Sequence, residues 1–186
     1  MSVVPKTRRF TADEYHRMGE VGILTDEDRV ELIDGEIIEM SPIGPPHMRC
    51  VMFLNEVFVR RLAGRAVVSP QNSIRLTPHT EPQPDVILLQ PPLDRYARRI
   101  PQPSDALLVV EVADISQVRD RQVKLPRYAA AGISEVWIVD LDADAVEVYR
   151  APAPTAYTES RRLVRGEALA PSAFPDVSLA VGDILG

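Results

Sequence analysis

Cysteine is nearly absent from this chain. The lone Cys50 excludes an intramolecular disulfide. With one Cys and only three His, a structural zinc site is not expected. Long hydrophobic runs are missing too. The first thirty residues hold no apolar stretch of the signal-peptide kind, and nothing approaches the length of a spanning helix. A soluble, cytoplasmic chain with no membrane partner is expected. Positive charge is in short supply: 21 Lys and Arg face 27 Asp and Glu, for a net charge of −6 and a pI near 5.1. That balance argues against a dedicated nucleic-acid binder, whose domain is usually basic. It leaves room for a local patch, since Arg95, Arg98, Arg99, Arg119, Arg121, Lys124 and Arg127 lie close to acidic residues of interest. There is no G-x-G-x-x-G, no P-loop lysine motif, no G-x-S-x-G elbow, no internal repeat and no low-complexity tract.

What is present fits a globular domain. Of 186 residues, 45% are hydrophobic and 26% charged, enough to bury a core without disulfide or metal. One domain over 1–186 is expected: an N-terminal helix and hairpin (1–43), a core (44–150), and a C-terminal strand and tail (151–186). The 17 prolines cluster at 42–46, 78–84, 91–103 and 152–154 and read as stiff connections between elements.

Thr11 followed by acidic residues predicts a short helix over 11–20. Asp34-Gly35 between apolar residues predicts a hairpin over 28–42. Val51, Leu54, Val57, Phe58 and Leu62 recur at helical steps, giving a helix over 44–64 that stops at Gly64. Strands are expected over 66–77, interrupted near Pro70, then over 84–90 and 106–114. A helix over 116–132 must kink or split at Pro126. Two strands with an acidic turn fill 135–150, and one more strand and a short finishing segment follow. The order predicts an α/β or α+β domain with a mixed sheet.

One residue is out of place in this pattern. Glu111 interrupts the apolar run of 106–113, where an ionised carboxylate is costly unless paired. It is either a member of a structural ion pair, a residue on an exposed edge, or part of a site. Asp85 alone would be an exposed carboxylate at a strand start. If strands 84–90 and 106–114 are antiparallel neighbours, however, Asp85 comes level with Glu111. Two carboxylates that close favour a cation between them. Mg²⁺ prefers one or two carboxylates plus waters and phosphate oxygens, the pattern of phosphodiester hydrolysis. Lys124, thirteen residues after Glu111, stands on the helix expected to cross the sheet, with Tyr128 on the same face. Asp120 and Lys124 could equally form an ordinary i,i+4 surface pair. His47 reads as a cap or surface residue. Glu31, Asp34 and Glu36 read as exposed hairpin residues.

The segments "ELIDGEIIEMSP", "PDV" and "VVEVADIS…DRQVKLPRYAAAGISEVWIVD" resemble the large bacterial family of putative restriction endonucleases, once a domain of unknown function and a branch of the PD-(D/E)XK nuclease superfamily. The likeness covers about 8–185 and is most specific over 109–140. It implies a restriction-endonuclease-like core, a mixed sheet flanked by helices. It implies that Asp85 and Glu111 bind a divalent metal, Mg²⁺ or Mn²⁺, with the Val112 carbonyl as a further ligand. It implies Lys124 as the catalytic cation and matches His47 and Glu31 to recurring positions without assigning them roles. The superfamily lysine stands two residues after the Glu, where this chain has Ala113; Lys124 takes its place from the next helix. The function implied is a metal-dependent DNA endonuclease, as a homodimer. The competing readings are a catalytically inactive nuclease-fold dimer serving regulation or interaction, and hydrolysis of a smaller phosphate ester.

Overall fold

The structure, a computed structural model, describes residues 7–25, 27–113 and 120–186, with the side chain of Asp120 outside that description. Helix α1 spans Ala12–Glu20 and is closed at its start by a capping box between Thr11 and Glu14. Strands β1 (Val30–Ile33) and β2 (Glu36–Glu39) form the expected hairpin. Its turn residues Asp34 and Gly35 both have positive φ, 51° and 77°, as a type I′ turn requires. Helix α2 spans Pro45–Leu62, with prolines in the first turn where their missing N–H costs nothing.

Six strands make one mixed sheet in the order β3-β4-β5-β6-β7-β8. They are β3 (Val67–Pro70), β4 (Val86–Leu89), β5 (Ala106–Ala113), β6 (Glu135–Asp140), β7 (Ala145–Pro152) and β8 (Tyr157–Val164). Only β5 and β6 run parallel; every other neighbouring pair is antiparallel. The crossover between β5 and β6 includes a π-helical turn, Asp120–Lys124, that runs into helix α3 (Leu125–Ala130). Pro126 lies in the first turn of α3, a position proline tolerates. The kink-or-split expectation for 116–132 thus resolves, over its described part, into two short helical segments, and Gly132 with φ 79° ends the run. The expected strand over 66–77 ends at Pro70. Beyond β8 the tail holds a two-strand pair, β9 (Ala168–Leu169) with β10 (Leu179–Ala180), and helix α4 (Val181–Leu185).

Alternation on β5 sorts the core into two layers. Leu108, Val110 and Val112 pack with Leu54 and Phe58 of α2 and Ile184 of α4. Val109 and Ala113 pack on the other face with Ile87, Ile138 and Tyr128 of α3. Being covered on both faces is why β5 reads as a nearly continuous apolar run. Each large side chain buried there contributes about 1.5–3 kcal/mol. Glu111 belongs to the face turned toward α3.

A second buried carboxylate fixes the far end of the sheet. Glu135, 1% exposed, accepts hydrogen bonds from Trp137 Nε1 at 2.8 Å, Arg150 Nη2 at 2.8 Å and the Ser172 N–H at 2.6 Å. It ties β6, β7 and the C-terminal segment together.

Candidate active site

The register of the β4–β5 pair sets the centre. Val86 stands opposite Val110, so the next step brings Asp85 opposite Glu111. Residues facing each other across an antiparallel pair have Cβ atoms about 4.5–5.5 Å apart. The expectation that these two carboxylates reach one level is therefore met. Asp85 is not the exposed strand-start residue of the bland reading: its side chain is 13% exposed. Its Oδ2 accepts the Val112 N–H at 2.8 Å, which turns the carboxylate into the plane of the sheet, across the open end of β4. The N–H and C=O of a strand residue point to the same edge, so the Val112 carbonyl faces that same end.

From the α2 side, His47 Nε2 lies 3.1 Å from Asp85 Oδ1, with the imidazole 12% exposed. His47 is thus neither a surface residue nor a simple cap, as its position after Pro45-Pro46 suggested. Its Nδ1 is buried without a hydrogen-bond partner among the described residues. From the α3 side, Glu111 is 2% exposed. Its Oε1 accepts the Tyr128 hydroxyl at 2.6 Å and lies 3.3 Å from Lys124 Nζ. Lys124 is itself 5% exposed, which removes the surface-pair reading with Asp120; the Asp120 side chain is outside the described residues. Tyr128, as expected, shares the face of Lys124.

The hairpin supplies a third carboxylate. Glu31 was expected on an exposed strand but is 1% exposed. Its Oε2 lies 3.1 Å from Lys124 Nζ and accepts the Gln83 N–H at 3.2 Å. Its Oε1 is buried without a hydrogen-bond partner among the described residues. Strand alternation fails here because β1 is buried on both faces. Leu32 bridges to Glu81 of the following core segment, and Glu31 turns onto α3. A sequence signal did exist: of the 21 basic residues only Lys6 and Lys124 are lysines. A chain that uses arginine almost everywhere keeps lysine where a compact ammonium is wanted.

The cluster's charge is unbalanced. Glu31, Asp85 and Glu111 meet one ammonium, Lys124, and one imidazole, His47, among the described residues. Among the described residues, no group of three or more His, Cys, Asp or Glu side chains is disposed to hold a metal. That excludes a zinc-type side-chain cage there. It is compatible with Mg²⁺, which takes one or two carboxylates and completes its shell with water and phosphate oxygens.

Cys50, one helical turn after His47, is no nucleophile. Burial, and then the Asp85 charge, push its thiol up to about 12. A groove of about 780 Å³ lined by Arg150, Ser160 and Ser172 lies between β8 and the C-terminal segment and contains none of the clustered groups. No helix among the described residues is long and apolar enough to cross a membrane.

A mixed sheet flanked by helices, with an Asp at the head of one strand level with a Glu in the next, places the chain in the nuclease-like α+β class. A solved structure with the same fold is a putative nuclease belonging to DUF820 from Anabaena variabilis, with TM-score 0.75, 19% identity, and coverage of 95% of this chain and 97% of that one. The family model described as "Putative restriction endonuclease", Uma2, matches residues 12–182, and the chain belongs to that family. No curated protein matches it.

Proposed function

We propose that this protein is a DNA endonuclease that depends on Mg²⁺ or Mn²⁺ and hydrolyses phosphodiester bonds. The observation that carries the reading is the level placement of Asp85 and Glu111 on adjacent strands, with a buried lysine at the second carboxylate. Asp85, Glu111 and the Val112 carbonyl would hold the cation. When bound, it supplies an activated water at neutral pH and stabilises charge on the phosphoryl oxygens.

The protein's own groups do the positioning. The Val112 N–H fixes the orientation of Asp85. The Tyr128 hydroxyl fixes Glu111. Lys124 presents an ammonium beside Glu111, where it orients the attacking water or meets charge developing on phosphorus. Such a preorganised charge acts strongly because the surroundings exclude water. Arriving from a helix, it takes the part a lysine at the Ala113 position would have played. The fold also supports a second reading, an inactive dimer that keeps the nuclease fold for regulation or interaction. The observation favouring it is that Lys124 and Tyr128 already engage Glu111.

Nicking of supercoiled plasmid DNA separates the two. With Mg²⁺ or Mn²⁺, the protein should nick and the Asp85→Asn and Glu111→Ala variants should not. Equal nicking by all three would mark a contaminant and leave the endonuclease reading without support. Sedimentation of the same samples reports whether the protein is a homodimer.

A further inference from the structure

We propose that Glu31 is the positioning residue of this site, holding Lys124 in place when Glu111 turns to its cation. The inference rests on the cation-dependent reading above and deepens it. Lys124 Nζ stands between two carboxylates, 3.1 Å from Glu31 Oε2 and 3.3 Å from Glu111 Oε1. A cation on Glu111 draws on the oxygens that Lys124 and the Tyr128 hydroxyl engage. It also repels the ammonium. Of the two described carboxylates that hold the lysine, only Glu31 keeps its full charge for the ammonium once a cation sits on Glu111.

Glu31 is 1% exposed, and the Gln83 N–H fixes its Oε2 at 3.2 Å. It comes from a different element, so it does not follow Glu111. Its Oε1 is buried with no hydrogen-bond partner among the described residues, and a carboxylate oxygen can accept from the ammonium's other protons or a water. The need for such a hold follows from where the lysine originates. A lysine two residues beyond Glu111 would be aimed by the strand itself. A lysine on a helix carries its charge at the end of a flexible four-carbon stem, which needs an anchor at its tip. A helix-borne lysine and a hairpin-borne carboxylate therefore belong together as one device.

The two lysines make the test direct. Labelling at lysine Cε gives two NMR signals, and the order parameter of the Lys124 methylene reads how firmly it is held. Mg²⁺ affinity is measured separately by calorimetry, and nicking gives kcat and KM. In Glu31→Gln we expect Mg²⁺ affinity to fall less than in Glu111→Gln. The Lys124 order parameter should fall below about 0.6 with Mg²⁺ present. The kcat should drop roughly 10- to 100-fold, as for the loss of outer supports of a metal site, with KM unchanged. Glu31→Asp keeps the charge and should recover part of the order, and it carries the comparison if the Gln variant does not fold. A loss of Mg²⁺ affinity as large as that of Glu111→Gln would make Glu31 a ligand and overturn the proposal. An unchanged Lys124 order parameter in Mg²⁺ would overturn it equally. Glu111→Gln is the control for the reading beneath. If it binds Mg²⁺ as the parent does, the cation reading fails, while the Lys124 signal in Mg²⁺-free buffer still decides whether Glu31 holds the lysine.

Discussion

Replacing Lys124 with Met tests the charge argument on stability, without any assay of cutting. Methionine keeps most of the stem's volume, so the change removes mainly the ammonium. That ammonium serves two carboxylates that are 1% and 2% exposed. Breaking one buried pair by deleting a partner costs about 3–5 kcal/mol, and with two carboxylates on one cation the loss should fall in the upper half of that range. For a domain of this size the melting temperature should drop by roughly 8–20 °C, at about 2–4 °C per kcal/mol. Urea unfolding in EDTA, followed by the fluorescence of the single, fully buried Trp137, measures the loss. Adding Mg²⁺ should then return stability, by about 2.7 kcal/mol at a hundred times its Kd. At one fixed Mg²⁺ concentration the return should be larger in the variant than in the parent, because the cation replaces a missing charge and binds the variant more tightly. A deficit in EDTA below about 1 kcal/mol, the range of exposed pairs, would refute the reasoning. So would an equal Mg²⁺ gain in both proteins.

Three further expectations concern the frame around the site. Gly35→Ala should destabilise by more than Gly64→Ala. Both have positive φ, but a Cβ at Gly35 would sit 2.6 Å from Arg9 Cβ, while one at Gly64 meets nothing within 4 Å; matched urea melts give the difference. Glu135→Ala should cost about 3–5 kcal/mol, leaving a buried indole N–H, the Ser172 N–H and Arg150 without their acceptor. Glu135→Gln should cost less, and neither should change Mg²⁺ affinity by calorimetry. At high pH, Tyr149 should weaken the fold. Burial, and then the hydrogen bond and charge of Glu147, push its phenol up to about 12. Its share of stability is complete below the unfolded value near 10 and is lost as pH rises through 12. Alkaline melts of the protein and of Tyr149→Phe check this, with the variant less sensitive above pH 10.

The parts of this architecture written in local pattern were legible. Asp34-Gly35 specified its hairpin, the 3.6-residue spacing of Leu54, Phe58 and Leu62 specified α2, and the apolar run around Glu111 specified a strand covered on both faces. The pairing of β4 with β5 then brought Asp85 level with Glu111, because antiparallel register is arithmetic once the neighbours are known. Contacts between distant elements were not legible. Nothing local distinguishes Glu31 from Glu36 on the same hairpin, yet one is buried on Lys124 and the other is exposed. His47 reads as a helix start until the end of β4 is placed beside it. Both errors have one cause: alternation and periodicity say which face a residue takes, but not what covers that face.

The hairpin's attachment to α3 has a temporal consequence. Arg127 reaches back to Asp34, 93 residues earlier, and Lys124 reaches Glu31 across a gap of the same length. Contacts spanning so much chain close late, since the loop entropy must be met before they contribute. The candidate site therefore forms no earlier than the contacts that bridge those 93 residues. A half-made or misassembled copy exposes scattered carboxylates and no competent centre. For a protein of the proposed chemistry, no candidate centre exists until the hairpin and the helix after β5 have met.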